Sequence, residues 1–177
     1  SGFVPKFNAT WNITDDNMVY ATYSEGFRHG GANGGRRGSV FATGGAYDSY
    51  TSDQLKNYEV GTKNSLFDGR MTADVTFYRM DWSDIQIQAE DPDPDLFGTG
   101  ILNFPKARIN GVEGNFSFLP VEDLTITATL GYNDASMAEE AILWPGTDDE
   151  VVIPKGIRLP LMPKWKFSVN PRWDFKG

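Results

Sequence analysis

From Leu124 to Asn133 the chain alternates without a break between apolar side chains and polar or small ones. Leu124, Ile126, Ala128, Leu130 and Tyr132 fall on one side of an extended backbone, and Thr125, Thr127, Thr129, Gly131 and Asn133 on the other. A period of two belongs to a β-strand, because a helix would scatter those apolar residues around its circumference. The pattern recurs along the sequence. Phe7, Ala9, Trp11 and Ile13 oppose Lys6, Asn8, Thr10 and Asn12. From about Met18 to Gly26, Val19, Ala21 and Tyr23 oppose Tyr20, Thr22 and Ser24. From about Leu55 to Leu66, Tyr58, Val60 and Thr62 alternate with Asn57, Glu59, Gly61 and Lys63. Met71, Ala73, Val75 and Phe77 oppose Thr72, Asp74 and Thr76, in a strand expected to continue through Trp82 and Asp84 to about Gln88. Val112, Gly114, Phe116 and Phe118 oppose Glu113, Asn115 and Ser117, and Trp165, Phe167, Val169 and Trp173 oppose Lys166, Ser168, Asn170 and Arg172. Seven strands are predicted.

The connections carry the second constraint. Polar turns at Thr14–Asn17, at Phe67–Arg70 with its Asp68-Gly69 hairpin signal, and at Leu119–Asp123 are short. Between them lie long segments at about 27–54, 89–106 and 134–163. Short and long alternate strictly, and the short turns, with the chain end near Lys176, recur at roughly 53-residue intervals. Soluble sandwiches mix hairpins and crossovers at both ends, whereas membrane barrels keep tight turns on the periplasmic side and long loops outside. Odd strands are therefore expected to run towards the periplasm and even strands outwards.

Lipid accepts no backbone hydrogen bonds, so a sheet spans it only when closed, with an apolar outside and a wet inside. Trp11, Tyr23, Tyr58, Tyr132, Trp165 and Trp173 sit near strand ends, where headgroup-level girdles would lie. A chain of 177 residues is too short for the roughly 22 strands of a large transporter barrel. The expected fold is all-β: an antiparallel up-and-down meander of about seven strands, an arc of a larger transmembrane β-barrel. Residues 1–177 read as one partial barrel with no plug domain and with both ends cut.

Composition narrows the function. The net charge of −8 argues against a nucleic-acid partner, and the absence of cysteine removes disulfides and thiolate metal sites. A mean hydropathy of −0.41 is compatible with a barrel, whose strands hide apolar residues at every second position. A soluble antiparallel sheet with one solvated face gives the same alternation, so a soluble β-sandwich binding module for carbohydrate stays open as an alternative. A barrel enzyme is a third reading, for which no catalytic cluster is found.

Several stretches resemble the barrel of TonB-dependent receptors. The strand-turn-strand Trp11 to Arg28 ends in Gly26-Phe27-Arg28, with His29 where that family usually has Pro, then Gly30-Gly31. Asn57-Tyr58-Glu59-Val60-Gly61-Thr62-Lys63 is similar to an Asn-Tyr-Glu-Leu-Gly-x-Lys strand, and Phe77-Tyr78-Arg79-Met80-Asp81-Trp82-Ser83-Asp84-Ile85-Gln86 to a Phe-Tyr-x-x-Asp-Trp-x-Asp-Ile-Gln strand. Asn103, Ala107 and Gly111-Val112-Glu113-Gly114, then Leu159 to Trp165, resemble later elements in order. The resemblance implies a bacterial outer-membrane location and active uptake of a scarce ligand: a ferric siderophore, cobalamin or an oligosaccharide. The partners it implies are outer-membrane lipid and lipopolysaccharide, and the TonB complex acting through a plug absent from this segment. No enzyme signature is read from the residues themselves, and neither an enzyme activity nor a cofactor is expected.

Candidate ligand-binding residues come from one loop. Arg28, His29, Arg36 and Arg37 concentrate positive charge in an otherwise acidic chain and could attract an anionic chelate; the bland reading is that they are solvated or meet lipopolysaccharide phosphates. Asp91, Asp93 and Asp95, alternating with Pro92 and Pro94, invite a calcium reading but lack the EF-hand glycine and terminal glutamate, so a solvated acidic loop is expected. Glu59, Asp74 and Glu113 are expected to face the lumen. With one histidine and no nucleophile motif they are read as pore lining, and no catalytic or metal residue is assigned.

Overall fold

The alternating stretches pair into one sheet. In the computed structural model, which describes residues 3–93, 95–96, 98–145 and 148–175, the strands are β1 (Lys6–Asn12), β2 (Asn17–Arg28), β3 (Gly31–Ala32), β4 (Ser49–Tyr50), β5 (Asp53–Leu66), β6 (Met71–Glu90), β7 (Thr99–Val121), β8 (Leu124–Met137), β9 (Ala141–Leu143), β10 (Val151–Ile153) and β11 (Trp165–Trp173). Seven of them hydrogen-bond in the order β1-β2-β5-β6-β7-β8-β11, and every neighbouring pair is antiparallel. β3–β4 and β9–β10 are small ribbons inside the long connections. The main sheet is one layer, so the sandwich alternative fails.

The strand ends differ from expectation mainly at the long-loop rim. The segment expected as a loop from Ala89 to Lys106 is largely strand: β6 runs to Glu90, and β7 begins at Thr99. Pro105 hid this, because it lacks a donor and interrupts the apolar period. Its cross-strand position, Asp84, has φ 53°, and pairing resumes on both sides in the same register. At the other rim the turn after β7 is tighter than expected, with only Glu122 and Asp123 between Val121 and Leu124. The turn at 67–70 takes left-handed backbone at Phe67, Asp68 and Gly69. Lys176 lies outside the described residues, as does Pro94.

Register fixes the faces. One cross-strand row runs Ala9, Ala21, Val60, Phe77, Val112, Tyr132, Trp165; the next towards the short turns runs Trp11, Val19, Thr62, Val75, Gly114, Leu130, Phe167. Rows of the opposite parity are polar: Thr10, Tyr20, Gly61, Thr76, Glu113, Gly131, Lys166, then Asn12, Met18, Lys63, Asp74, Asn115, Thr129, Ser168. Within the polar face, the Tyr20 ring lies across Gly61 to reach the Thr76 hydroxyl at 2.7 Å. Tyr78 likewise crosses Gly111 to bond the Asn133 side chain. A methyl at either glycine would overlap the ring.

Partway up the sheet the two faces exchange polarity. On β6 the apolar series Met71, Ala73, Val75, Phe77 gives way on the same side to Arg79, Asp81 and Ser83, while the opposite side passes from Thr72, Asp74, Thr76 to Met80 and Trp82. β7 does the same, with Val112 followed by Asn110 and Arg108 on one side and Glu113 by Ile109 and Ala107 on the other. β8 follows at Tyr132 to Asp134 and Asn133 to Ala135. The apolar residues below this border are exposed or half-buried, with Val60 at 59%, Phe77 at 58% and Leu130 at 45% exposed. Those above it are buried, with Ala107 at 0%, Ile109 at 4% and Ala135 at 1%. Apolar surface left bare below the border suits hydrocarbon; apolar surface covered above it by the chain's own loops suits water.

Candidate functional site

The residues above the border build the long-loop rim, and two small cores hold it together. Ile85, Ala107, Met137 and Ala141 form one, covered by Trp82, Ile87, Phe104, Ile153 and Leu159. Phe41, Leu102 and Trp144 form the other, with Val40, Tyr47, Ala89 and Leu143 against it. Phe41 comes from the connection between β3 and β4 and is fully buried. Its ring sits over Gly100 of β7, where a Cβ would collide with it. Trp144 stands edge-on to Phe41 at 5.9 Å and to Tyr47 at 5.4 Å between ring centres, an arrangement that aromatic quadrupoles favour. Three connections distant in sequence thus share one core.

A polar latch fastens the base of the first connection. Asp53, at the start of β5 and only 2% exposed, accepts from the Arg28 backbone N–H at 2.9 Å and its Nε at 2.8 Å. The Trp82 indole N–H donates to the same carboxylate at 3.0 Å, and the Arg28 guanidinium stacks 5.2 Å above the Trp82 ring. Burial pushes the Asp53 carboxyl up, but the hydrogen bonds from the Arg28 side chain and backbone and from Trp82 outweigh it and hold it below the usual carboxylate value. Gln86 donates to the carbonyls of His29 at 2.9 Å and Thr51 at 3.0 Å. Asn103 closes the circuit: it accepts from the Thr51 N–H at 2.7 Å and donates to the Asp84 carbonyl at 2.6 Å. Arg28, Trp82, Gln86 and Asn103 are residues of the motifs that carry the family resemblance, and they converge here.

The four loop candidates do not form one cluster. Arg28 is committed to Asp53 and also donates to the Gln86 carbonyl at 3.2 Å. The His29 ring is exposed and stands edge-on to Phe27 at 4.9 Å. Arg36 and Arg37 are exposed. Asp91 and Asp93 act in local structure: Asp91 accepts from the Ser39 hydroxyl and from the N–H groups of Val40 and Asp93, and Asp93 accepts from the Asp95 N–H at 3.0 Å. Among the described residues no group of three or more metal-ligating side chains converges. Glu59, Asp74 and Glu113 lie on the polar face as expected, in three different cross-strand rows.

Asp53, Phe41 and Trp144 were not legible as rim residues. Asp53 opens a strand with nothing in its neighbourhood to announce a partner twenty-five residues back. Phe41 and Trp144 sit among glycines and acids in stretches without period. Two clefts open beside these residues. One of about 270 Å³ lies between the Arg28–Asp53 pair and Leu55, Met80, Trp82 and Ile109. Another of about 240 Å³ is bounded by Tyr47, Leu102, Phe104, Leu143 and Trp144. An apolar and aromatic wall with a few fixed polar groups at its edge is the usual make-up of a small-molecule site.

Comparison with known proteins agrees with this architecture. The ferric-pyoverdine M114 receptor PbuA of Pseudomonas sp. (strain M114) is 25% identical over 167 residues, covering 91% of this chain and 18% of that protein. The chain therefore spans about a fifth of the length of that relative. Among solved structures, the ferric yersiniabactin uptake receptor FyuA from Yersinia pestis superposes with a TM-score of 0.66 at 18% identity, over 94% of this chain and 22% of that one. The ferripyoverdine receptor of the Pseudomonas aeruginosa outer membrane, bound to ferripyoverdine, gives 0.61 at 18%, over 98% and 20%. These likenesses show the fold. A family model described as TonB dependent receptor-like, beta-barrel, matches residues 1–177, and the chain belongs to that family of outer-membrane receptor barrels.

Proposed function

We propose that this segment supplies barrel wall and outer loops to a receptor that imports a ferric siderophore, with energy delivered through TonB. The packed loop rim supports the reading most directly: two clefts with apolar and aromatic walls stand on a sheet whose outer face suits lipid. The related proteins are named as receptors for ferric pyoverdine and ferric yersiniabactin, and a chelate of that kind would meet the apolar and aromatic walls of these clefts along part of its surface. The exposed Arg36 and Arg37 add positive charge near the rim, which raises the encounter rate of an anionic chelate. Arg28 serves the latch, and His29 borders it.

The test is iron uptake in a strain lacking the intact receptor. Radioiron presented as ferric pyoverdine or a similar chelate is expected to enter when the receptor is restored, and only while TonB is functional. Unchanged chelate uptake alongside lost cobalamin or oligosaccharide uptake would overturn the siderophore assignment.

A further inference from the structure

We propose that Asn33 is a self-modifying site: its side-chain amide cyclises onto the Gly34 nitrogen and is lost as ammonia, and the acid that results unfastens the first long connection from β7. This holds whichever ligand is transported. Asn33 stands where the chain leaves β3. Its Nδ2 donates to the Tyr47 carbonyl at 2.9 Å and to the Ile101 carbonyl at 2.8 Å, and its Oδ1 accepts from the Ile101 N–H at 2.8 Å. Its own N–H donates to the Asp48 carbonyl at 2.7 Å. One amide thus ties the first connection to both backbone groups of a β7 residue. Asn103 mirrors it from β7, accepting from the Thr51 N–H and donating to the Thr51 carbonyl.

The next residue sets the chemistry. Glycine has no Cβ to shield its nitrogen and turns freely, so an Asn-Gly bond lets the backbone nitrogen reach the side-chain carbon most readily. Gly34 is exposed, lies outside the strands and has open space where a Cβ would stand. The Gly34 nitrogen bonds to Asn33 Cγ and gives up its proton, the Cγ–Nδ2 bond breaks, and ammonia leaves. Water then opens the imide on either side to aspartate or isoaspartate. Neither fits the clamp. A carboxylate has no donor, so its oxygens would face the Tyr47 and Ile101 carbonyls with nothing to give them. The clamp also gates the step, because the amide must leave its partners before Cγ can turn to Gly34. Asn110-Gly111, the other Asn-Gly pair of the chain, lies inside β7 with strands on both sides and the Tyr78 ring over the glycine. Opening that ladder costs more than opening the rim.

Peptide mapping by mass spectrometry, on intact receptor held for days in detergent at mildly alkaline pH, tests this. Acid is expected to accumulate at Asn33 and not at Asn110, while receptor unfolded in urea gains it at both. Gly34→Ala, whose methyl meets nothing, is expected to slow the conversion by on the order of tenfold. Phe41→Ala, which loosens the core behind the clamp, is expected to speed it several-fold. In Asn33→Asp, hydrogen exchange at the Ile101 amide is expected to rise several-fold while Asn110 stays protected. No conversion at Asn33, equal conversion at Asn110, or an unchanged rate in Gly34→Ala would overturn the self-modification. An unchanged rate in Phe41→Ala would overturn the gate, and unchanged exchange at Ile101 in Asn33→Asp its consequence for the rim. None of these readouts is siderophore uptake, so a failure here leaves the transport reading standing.

Discussion

The lower and upper parts of β6 obey the same rule of alternation and present opposite results. Below Tyr78, the apolar side chains Val75 and Phe77 share a face on which Phe77 is left bare and Val75 half-buried. Above it, Ile85 is 2% exposed and lies in a core built with residues of β7, β8 and β9. The polypeptide is extended in both halves, and the ladder to β7 continues through both. What changes is the solvent. A strand in hydrocarbon can leave its apolar face uncovered, because lipid does the covering; a strand in water must recruit its own loops. The position at which the two faces trade polarity therefore marks the membrane border, and β7 and β8 place it beside β6.

The largest effect is expected where the upper half depends on one side chain. Phe41→Ala should cost about 3–5 kcal/mol of local stability, since it empties the centre of a core that joins three connections. Hydrogen exchange in the intact receptor should rise across residues 31–50 and 141–144 while β1, β2 and β11 stay protected. Uniform exchange across the sheet would mean that the two halves form one cooperative unit. The complementary break is Leu130→Arg, on the bare face of β8 one step below Tyr132. A charge facing hydrocarbon costs roughly 2–4 kcal/mol at the midplane and less towards the border, so folding into vesicles should weaken by about 1–3 kcal/mol. A neutral result would place water, not lipid, against that face.

The lower half was almost fully legible in sequence, and the upper half only in outline. β11 spans Trp165–Trp173 as expected, and the outer set Leu124 to Tyr132 of β8 is as predicted, because an uninterrupted period of two needs no tertiary information. The upper strands of β6 and β7 were obscured at Asp84 and Pro105, where one residue takes left-handed backbone and the other gives no hydrogen bond. The rim cores were invisible for a different reason. Phe41 and Trp144 are single aromatics in aperiodic stretches, and their pairing is a tertiary event that spacing does not encode. The latch lay between these extremes: Arg28, Trp82, Gln86 and Asn103 stood within the motifs shared with the family, but their common partners Asp53 and Thr51 did not.

Two smaller effects sharpen the border. Asp53→Asn keeps the shape of the latch and removes its charge, which should cost about 1.5–3 kcal/mol through weakened bonds from Arg28 and Trp82, with part of the Arg28 share lost to water. The same group predicts a pH dependence confined to the upper half. Its folded pKa is depressed, so its stabilisation is present above the unfolded value near ~3.9 and is lost as pH falls through the lower folded value. Acid titration followed by exchange at residues 28–54 should show this loss in the wild type and not in the variant. Gly111→Ala tests the lower half in the same range: a methyl under the Tyr78 ring should cost roughly 1–3 kcal/mol, read as a lower unfolding midpoint of the barrel.

The smallest effect is expected at the two exposed cations of the first connection. Arg36 and Arg37 are exposed, so Arg36→Ala/Arg37→Ala should move neither loop exchange nor barrel stability by more than about 0.5 kcal/mol. If the rim gathers an anionic chelate, the variant should instead slow its association a few-fold at low salt, with the difference shrinking as ionic strength rises. Dissociation should change little, because charges outside the clefts steer a ligand more than they hold it. Stopped-flow binding of a ferric siderophore at two salt concentrations separates these terms. Identical association rates at low salt would remove Arg36 and Arg37 from the functional surface and leave the latch and the aromatic clefts as the upper half's contribution to ligand capture.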